Sequence, residues 1–328
     1  MMDVASRAGV SQATVSLVLN DSPGVRLSDT TRERVREAAD ELGYQLVRRG
    51  QRKPPADQTL IAFIADEIAT DPWMALAFDG AREKALQYGL TACLTVTRGD
   101  PEAEAMVFNQ MGEQLLGVIY GTILTRRMEP SQALLDHNTV LLNCYDAKRR
   151  LPSVLPGELV GGRVATERLI QAGRQRIGLI NGQEGLDASR DRLKGYRQAL
   201  SSNDIPFDAD LVKWGNWEPS SGYEMTRVLM TMNNPPDAIF CANDMMAVGC
   251  FDALREIGLR VPQDISVIGF DDREIAQFTR PPLTTLVLPH FEMGEIAAEF
   301  LIDAAGGLKG GPTQIKVECT LVERHSVD

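Results

Sequence analysis

Several features that mark particular protein classes are missing from the 328-residue sequence. No apolar run reaches the roughly 18 residues that a membrane-spanning helix needs. No basic stretch followed by an apolar one, as in a secretory signal peptide, opens the chain. We therefore expect a cytoplasmic protein that does not contact a membrane.

Histidine and cysteine are also scarce, which bears on metal sites, disulfides and catalysis. The three histidines lie near no nucleophile or acid–base motif, and there is neither a Walker loop nor a Gly-x-Gly-x-x-Gly turn. The five cysteines form no Cys-x-x-Cys pair, so we expect reduced thiols in the core. The glycine-rich residues 305–312 are interpreted as a helix-to-strand loop. The sequence therefore predicts no enzyme, no metal site and no cofactor.

Charge is distributed unevenly along the chain. The net charge is −11, yet residues 1–58 carry nine Lys and Arg against eight Asp and Glu. Residues 48–53, RRGQRK, form a local basic cluster. A near-neutral segment with a basic edge on an acidic body is typical of a modular DNA-binding protein, although a solvated linker is the alternative interpretation.

Residues 3–20, DVASRAGVSQATVSLVLN, contain two short helical patterns separated by a glycine. Asp3 is placed to cap the first helix and Ser11 the second. Gly9 favours the intervening turn, because that turn needs a positive φ. The apolar side chains that we expect to face inward are Val4, Ala5, Ala8, Val15, Val18 and Leu19. Two short helices joined by a tight turn predict a helix-turn-helix, a motif that binds DNA.

A third helix and a connector complete the predicted head. The helix covers residues 30–44, TTRERVREAADELGY, with Ser28 or Asp29 as its cap and Gly43 at its end. Its expected inward face consists of Val35, Ala38, Ala39 and Leu42. Residues 45–59 are predicted to connect the head to the rest of the chain, because Gly50 and two adjacent prolines oppose regular structure.

From residue 60 onward the pattern alternates between strands and helices. The strand-like runs are LIAFIA, LTACLTV, GVIYGT, TVLLNC, RIGLIN, AIFCAN and ISVIGF. Helical patterns lie between most of them, as at 74–89, 161–173 and 244–258. Near-continuous apolar strands separated by helices indicate parallel sheets that are covered on both faces. The pattern predicts an α/β fold with two lobes and a boundary near residues 151–158.

Four stretches of the sequence resemble the lac repressor (LacI/GalR) family of bacterial transcription regulators: 3–20, 189–200, 242–249 and 265–286. The resemblance covers essentially the whole chain. It implies a three-helix DNA-binding head, a short hinge and a two-lobe core similar to periplasmic sugar-binding proteins. It also implies a homodimer, with an effector held between two lobes that the chain crosses three times.

The resemblance also implies domain boundaries. We expect a helix-turn-helix head at 1–45, a hinge at 46–58, an N-terminal lobe at 59–155 plus 286–315, and a C-terminal lobe at 156–285 plus 316–328. The chain begins at Met1, closer to the first helix than in most family members. The hinge differs more strongly from the family pattern. Family hinges carry a leucine that enters the DNA minor groove, whereas the matching position here is Lys53. We expect a flexible basic hinge that contacts phosphates through Arg48, Arg49, Arg52 and Lys53.

The second helix is the expected recognition helix. Gln12 suits a bidentate contact with adenine, and Ala13 suits a thymine methyl group. Leu17 stands where relatives often have arginine and offers only an apolar contact. The short hydrogen-bonding side chains expected to contact phosphates are Ser11, Thr14, Ser16 and Asn20. These residues predict binding to a roughly palindromic double-stranded operator.

Effector-binding candidates come from different strands and loops. Asn243 and Asp271 follow strand ends, where open α/β sheets place ligands, and Arg192 lies in the stretch 189–200. The expected set is Asp66, Trp73, Arg98 and Asn143 from the first lobe, and Arg192, Trp217, Asn243 and Asp271 from the second. Carboxylates, an amide and an arginine around an aromatic ring suit the vicinal hydroxyls of a sugar. Structural roles are the alternatives: Asp244 or Asp272 as helix caps, Arg98 as a surface charge and Trp217 as a core residue.

The resemblance therefore implies a cytoplasmic transcriptional regulator that represses carbohydrate-utilisation genes and is relieved by a small sugar. A nucleoside effector is the alternative. An enzyme is disfavoured because no catalytic constellation is present. A sugar receptor for transport shares the two-lobe fold, but the helix-turn-helix head and the missing export signal disfavour it.

Overall fold

The protein is described by a computed structural model, which covers residues 7, 8, 10, 14, 15, 18, 29–41, 55–307 and 313–328. It comprises two compact units, residues 1–52 and 53–328. In the first unit, helix α1 spans Asp29–Glu41. Its buried cluster contains Ala8, Val15, Val18, Val35, Ala38 and Ala39, with Val10 packed against it.

The cluster confirms the predicted inward faces wherever the head is described. Other predictions lie outside the described residues: the caps Asp3 and Ser11, the turn at Gly9 and the stop at Gly43. The hinge from 46 to 54 also lies outside them.

The second unit begins with alternating strands and helices. In chain order they are β1 (Leu60–Ala65), α2 (Trp73–Gln87), β2 (Thr91–Val96), α3 (Pro101–Met111), a 3₁₀ turn (Gly112–Gln114), β3 (Leu115–Met128), α4 (Gln132–Asp136), β4 (Thr139–Asp146) and β5 (Ser153–Pro156).

The alternation continues through the rest of the chain. The elements are α5 (Glu158–Gln171), β6 (Ile177–Asn181), α6 (Asp187–Ser202), a 3₁₀ turn (Ala209–Leu211), β7 (Val212–Trp214), α7 (Pro219–Met230), β8 (Ala238–Cys241), α8 (Asp244–Glu256), β9 (Ser266–Ile268), α9 (Ile275–Phe278), β10 (Thr285–Leu286), α10 (His290–Ala305), β11 (Gln314–Val317) and β12 (Leu321–Val322).

Two parallel sheets define two lobes. The N-terminal lobe contains a six-stranded sheet in the order β11-β5-β4-β3-β1-β2, and the C-terminal lobe a four-stranded sheet in the order β7-β6-β8-β9. All seven apolar runs form strands. Six of them are largely buried because helices cover both faces of the sheets. Strand β2, at the edge of its sheet, is half-buried or exposed at every position. The α/β fold with two lobes is confirmed.

The chain passes between the lobes three times. It leaves the N-terminal lobe after β5, returns between β10 and α10, and crosses again between β11 and β12. Strand β11 ends at Val317, beyond the expected lobe end at 315. The segment 151–158, expected as a boundary, also contributes β5 to the sheet.

Three further properties of the described residues concern membrane spans, metal ligands and cysteines. Each of their helices is too short or too polar to span a bilayer. No group of three metal-ligating side chains occurs among them. All five cysteines are free and four are buried, as expected.

Candidate functional site

The candidate site lies where the carboxyl ends of both sheets meet. Asp66 directly follows β1, and Asn243 and Asp271 follow β8 and β9. Parallel sheets place ligands at these ends, because the crossover loops leave a crevice there. Both halves belong to the same compact unit.

Arg192 is held by a carboxylate that the sequence analysis missed. Its Nε donates to Oε2 of Glu158 at 2.6 Å, and its Nη2 donates to Oε1 at 3.1 Å. Nη1 donates to the carbonyl oxygen of Ala242. Both charged side chains are almost fully buried. This two-bond geometry is the strongest that an arginine and a carboxylate form.

Close helix packing brings this pair together. Glu158 begins α5, Arg192 lies in α6, and the two helices touch at glycines. A Cβ on Gly162 would lie 2.5 Å from the carbonyl oxygen of Arg192, and one on Gly195 would lie 2.1 Å from that of Leu159. Glycine is required at both positions, because any side chain would push the helices apart.

The environment shifts the pKa of two of the predicted effector-binding residues, Arg192 and Asp271. Burial opposes charge on Arg192, but the carboxylates of Glu158 and Asp271 raise its pKa above the ordinary value. Burial raises the pKa of Asp271 to about 7, although Arg192 and Arg273 act in the opposite direction. Nη2 of Arg192 lies 3.8 Å from Oδ1 of Asp271. Asp271 therefore titrates near neutral pH.

Arg273, which the sequence analysis also missed, connects this cluster to the other lobe. Its Nε lies 3.5 Å from Oδ2 of Asp271, and its Nη2 donates to Oδ1 of Asp71. Its guanidinium lies 5.1 Å from the ring centre of Trp73. Its backbone N–H donates to Asp244, whose pKa burial raises well above the usual range. One arginine thus contacts both sides of the cleft.

Two further polar contacts cross between the lobes. The hydroxyl of Tyr145 donates to Oδ2 of Asp187 at 2.7 Å. Lys316 Nζ lies 3.4 Å from Oδ2 of Asp191. Neither pair follows from sequence spacing, because the partners are far apart along the chain. Together with Arg273 these pairs hold the lobes against each other at both sides of the cleft.

Trp217 and Asn243 form one unit of the C-terminal lobe. The Trp217 ring packs on Gly182, where a Cβ would lie 1.9 Å from the ring. Its centre is 5.6 Å from the Arg192 guanidinium, and its Nε1 has no hydrogen-bond partner among the described residues. Asn243 caps α8 by accepting from Met246 N–H and donates to the Trp217 carbonyl oxygen. Asn243 thus caps the helix, where Asp244 was an expected alternative.

The predicted residues of the N-terminal lobe are more dispersed. Asp66 accepts from the Ile123 backbone at 3.0 Å and from Arg126 at 2.9 Å, and burial raises its pKa. Asn143 is buried and uses its side-chain amide within its own lobe. Arg98 is exposed. The structure does not bring Arg98 or Asn143 against the Arg192 cluster.

Trp73 has a partner that the pattern did not reveal. Its ring stacks on His290 with centroids 5.4 Å apart and planes 20° apart. Burial lowers the pKa of His290 to about 3, so its imidazole is neutral. Neither ring nitrogen of His290 has a hydrogen-bond partner among the described residues. A histidine at the start of a helix gives no sequence signal for such a contact.

A cavity of about 190 Å³ lies between the lobes beside Glu158. The N-terminal lobe contributes Thr125, Tyr145, Leu155, Pro156, Gln314 and Lys316, and the C-terminal lobe contributes Glu158, Asp187, Arg190 and Asp191. The lining is strongly polar and charged, so the cavity suits a ligand with many hydrogen-bonding groups. None of the predicted effector residues lines it; Glu158 connects it to Arg192.

The predicted DNA-contacting residues are almost entirely outside the described part of the chain. Only Thr14 is described, and it is half-buried. The other recognition-helix and hinge residues lie outside: Ser11, Gln12, Ala13, Ser16, Leu17, Asn20, Arg48, Arg49, Arg52 and Lys53. Their roles stay predictions.

Comparison with known proteins identifies the family. A family model of periplasmic binding protein-like domains matches residues 166–327, and one of bacterial regulatory proteins of the lacI family matches residues 1–45. The transcriptional regulator CelR of Thermobifida fusca is 32% identical over 98% of this chain and 96% of its own. The chain belongs to the lacI family of bacterial regulatory proteins. As a member of that family it is a DNA-binding transcriptional regulator and not an enzyme.

Other members of the lacI family match over similar lengths. The transcriptional repressor CytR of Escherichia coli is 31% identical over 99% of this chain and 95% of its own. Among solved structures, a CelR–cellobiose complex has a TM-score of 0.68 at 31% identity, covering 99% of this chain and 98% of its own. The lac repressor dimer bound to operator has a TM-score of 0.68 at 29% identity, covering 99% and 97%.

Proposed function

We propose that this regulator is a cytoplasmic dimer that represses carbohydrate-utilisation genes until a small sugar binds between its lobes. The observation that carries the proposal is the buried Arg192 cluster beside a polar cavity at the meeting point of both sheets. The full-length similarity to CelR, and to a structure of CelR with cellobiose, supports a sugar.

The head provides the sequence-specific part of the proposed function. A dimer reads two half-sites of a roughly palindromic operator, which a single head could not bind selectively. Gln12→Ala is expected to cost about 1–3 kcal/mol at its base pair. Fluorescence anisotropy with an operator selected from random duplexes measures the effect. Equal affinity of the unchanged protein for operator and scrambled duplex at the same salt concentration would rule out this assignment.

The hinge is proposed to act on phosphates. Replacing Arg48, Arg49, Arg52 and Lys53 by neutral residues should flatten the dependence of operator affinity on salt, because fewer counterions are released. Base preference should not change, since phosphate contacts carry no sequence information. DNA bending that depends on one hinge side chain would contradict this role.

The proposed change in operator affinity requires a ligand that contacts both lobes at once. A ligand that contacts Asp66 and Trp73 on one side and Trp217 and Asp271 on the other favours the closed cleft. A coupling free energy of about 1–3 kcal/mol changes operator affinity about 5–150-fold. Linkage requires operator DNA to weaken effector binding by the same factor.

Asp271→Asn provides the test of the switch. Full-length protein on a labelled operator is titrated with cellobiose, other neutral sugars and nucleosides. We expect a sugar to release wild-type protein, and Asp271→Asn to bind operator normally but to be released at much higher sugar concentration. The matched control is Asp252→Asn, an exposed carboxylate on α8. Normal release of Asp271→Asn would contradict the site.

A nucleoside is the second candidate effector. The half-buried Trp217 ring, whose indole N–H has no partner in the described part of the chain, offers a stacking surface that accepts a nucleobase as well as a sugar face. Release by nucleosides and not by any sugar in the same titration would decide for this alternative.

A further inference from the structure

The buried arginine of the cleft, Arg192, is already paired with an acidic side chain. Arg192 uses Nε and one N–H of Nη2 for Glu158 and one N–H of Nη1 for a backbone carbonyl, so the edge of the guanidinium that would bind an anion through Nε and Nη2 is taken by a carboxylate. The flat face of its guanidinium lies 3.7 Å from the centre of the Phe270 ring. A carboxylate or phosphate on a ligand would either have to displace Glu158 or approach the Nη1–Nη2 edge, where Glu158 already neutralises the arginine and Asp271 lies 3.8 Å from Nη2.

The cations that line the cavity are committed in the same way. Arg190 lies 2.5 Å from Asp187 and 3.1 Å from Asp191. Lys316 lies 3.4 Å from Asp191. Among the described residues, three carboxylates therefore line the cavity against two cations, both of which already have acidic partners. An anionic ligand meets like charges there, which are strongly unfavourable at short range.

Uncharged polar groups close to this cluster have their hydrogen-bonding capacity free. The indole N–H of Trp217, the hydroxyl of Ser189 and both ring nitrogens of His290 are buried and have no partner among the described residues. Ser189 lies one helical turn before Arg192 in α6. Buried groups of this kind normally bond to something. They match the hydroxyls of a neutral ligand, which both donate and accept hydrogen bonds.

We propose that Glu158 determines the charge selectivity of this site: by occupying Arg192 it restricts the effector to uncharged polyhydroxyl compounds and excludes sugar acids and sugar phosphates. The inference rests on the proposed function and specifies its effector class. Arg98, the other arginine of the predicted effector set, is exposed.

The first experiment uses inorganic sulfate as a probe and does not require the effector to be known. Sulfate is titrated at constant ionic strength while the thermal unfolding midpoint is recorded. We expect no saturable shift for wild type or for Glu167→Gln, a half-buried carboxylate on the same helix. We expect a saturable shift for Glu158→Gln, because Arg192 becomes available, and none for Glu158→Gln combined with Arg192→Met.

Two outcomes of the sulfate experiment overturn the proposal. One is saturable sulfate binding to wild type, whether or not Arg98→Ala removes it. The other is a folded Glu158→Gln variant that binds no sulfate. Because Glu158→Gln leaves a buried arginine without its partner and so destabilises the fold, a second experiment uses wild-type protein alone.

In the second experiment, calorimetry measures the affinity of the wild-type protein for glucose, glucuronate and glucose 6-phosphate. Each further hexose that releases operator is compared with its own uronate and 6-phosphate in the same way. We expect the uronate and the 6-phosphate to bind at least about tenfold more weakly than the neutral hexose. Equal or tighter binding of an anionic form overturns the role of Glu158 but leaves the proposed function intact. Absence of operator release by any sugar or nucleoside contradicts the proposed function, while the sulfate result still decides on Glu158.

Discussion

The two sides of the cleft are built differently. On the C-terminal side, Arg192, Glu158 and Asp271 are buried, and Arg192 forms ion pairs with both carboxylates. On the N-terminal side, Asp66 pairs with Arg126, whose side chain is 52% exposed. The C-terminal half is therefore ordered by its own ion pairs, whereas the N-terminal half meets it through contacts across the cleft.

This difference assigns different roles to the lobes. A buried, mutually bonded cluster keeps its geometry whatever the other lobe does, because breaking it leaves unpaired charge. Exposed pairs are weak and exchange partners readily. The C-terminal lobe is thus the rigid half of the site, and closing motion is expressed mainly through cross-cleft contacts such as Arg273 with Asp71.

The largest expected effect comes from removing the buried arginine. Arg192→Met leaves the Glu158 carboxylate buried without its partner and should lower the free energy of unfolding by about 3–5 kcal/mol. The matched change in the other lobe, Arg126→Met, should cost no more than about 1 kcal/mol, because Arg126 is 52% exposed and Asp66 keeps its hydrogen bond from the Ile123 N–H. Urea denaturation followed by circular dichroism measures both. Similar losses would refute the contrast between the lobes.

The second prediction concerns pH. The pKa of Asp271 is raised from 3.8 to about 7, so the folded state favours its neutral form. Its contribution to stability is present below about pH 4 and is lost as pH rises through about 7. Compared with Asp271→Asn, wild type should lose on the order of 4 kcal/mol over this range as an upper limit.

Urea denaturation of both proteins at several pH values between 4 and 8 measures this difference. Asp66→Asn serves as the comparison from the N-terminal lobe and should alter the pH dependence less, because Asp66 is more exposed. An Asp271→Asn variant with the same pH dependence as wild type would show that Asp271 does not titrate there.

The third prediction concerns Asn143, a buried residue of the N-terminal lobe. Asn143 has φ 56° and hydrogen-bonds with Thr122, Ile123 and Thr125, which holds an irregular segment of β3. Asn143→Ala should cost about 2–3 kcal/mol through lost hydrogen bonds and left-handed backbone strain. Asn143→Gly should recover about 1 kcal/mol, because glycine adopts this conformation freely. Equal losses would exclude the strain contribution.

The smallest effect is expected at Arg98. Its side chain is exposed, so Arg98→Ala should change the free energy of unfolding by no more than about 0.5 kcal/mol. The same urea measurement on Arg192→Met provides the contrast between an exposed and a buried arginine of the predicted set. A loss above about 1 kcal/mol would indicate a contact that the exposure of Arg98 does not suggest.

Much of the fold follows from local patterns. The seven apolar runs predict seven strands, because strands buried on both faces must be apolar throughout. Short strands such as β10 and β12 escaped prediction, because two residues carry no periodicity. The inward residues of the head follow from helical spacing, and Val35, Ala38 and Ala39 are buried as expected.

Local sequence patterns predicted only part of the candidate site. Arg192, Trp217, Asn243 and Asp271 follow strand ends or lie in the stretches that resemble the family, and the structure places them together. Glu158 lay in a segment interpreted only as a lobe boundary, and its importance comes from its partner.

The amino-acid sequence by itself determined the seven main strands and their alternation with helices, the two-lobe α/β class and the helix-turn-helix head, because each depends on the spacing of apolar and turn-forming residues along the chain. Only the tertiary structure decided which charges neutralise one another. Glu158 meets Arg192, and Asp71 meets Arg273, across 34 and 202 positions of sequence. Such pairs depend on helix crossings and lobe contacts, which local periodicity does not encode.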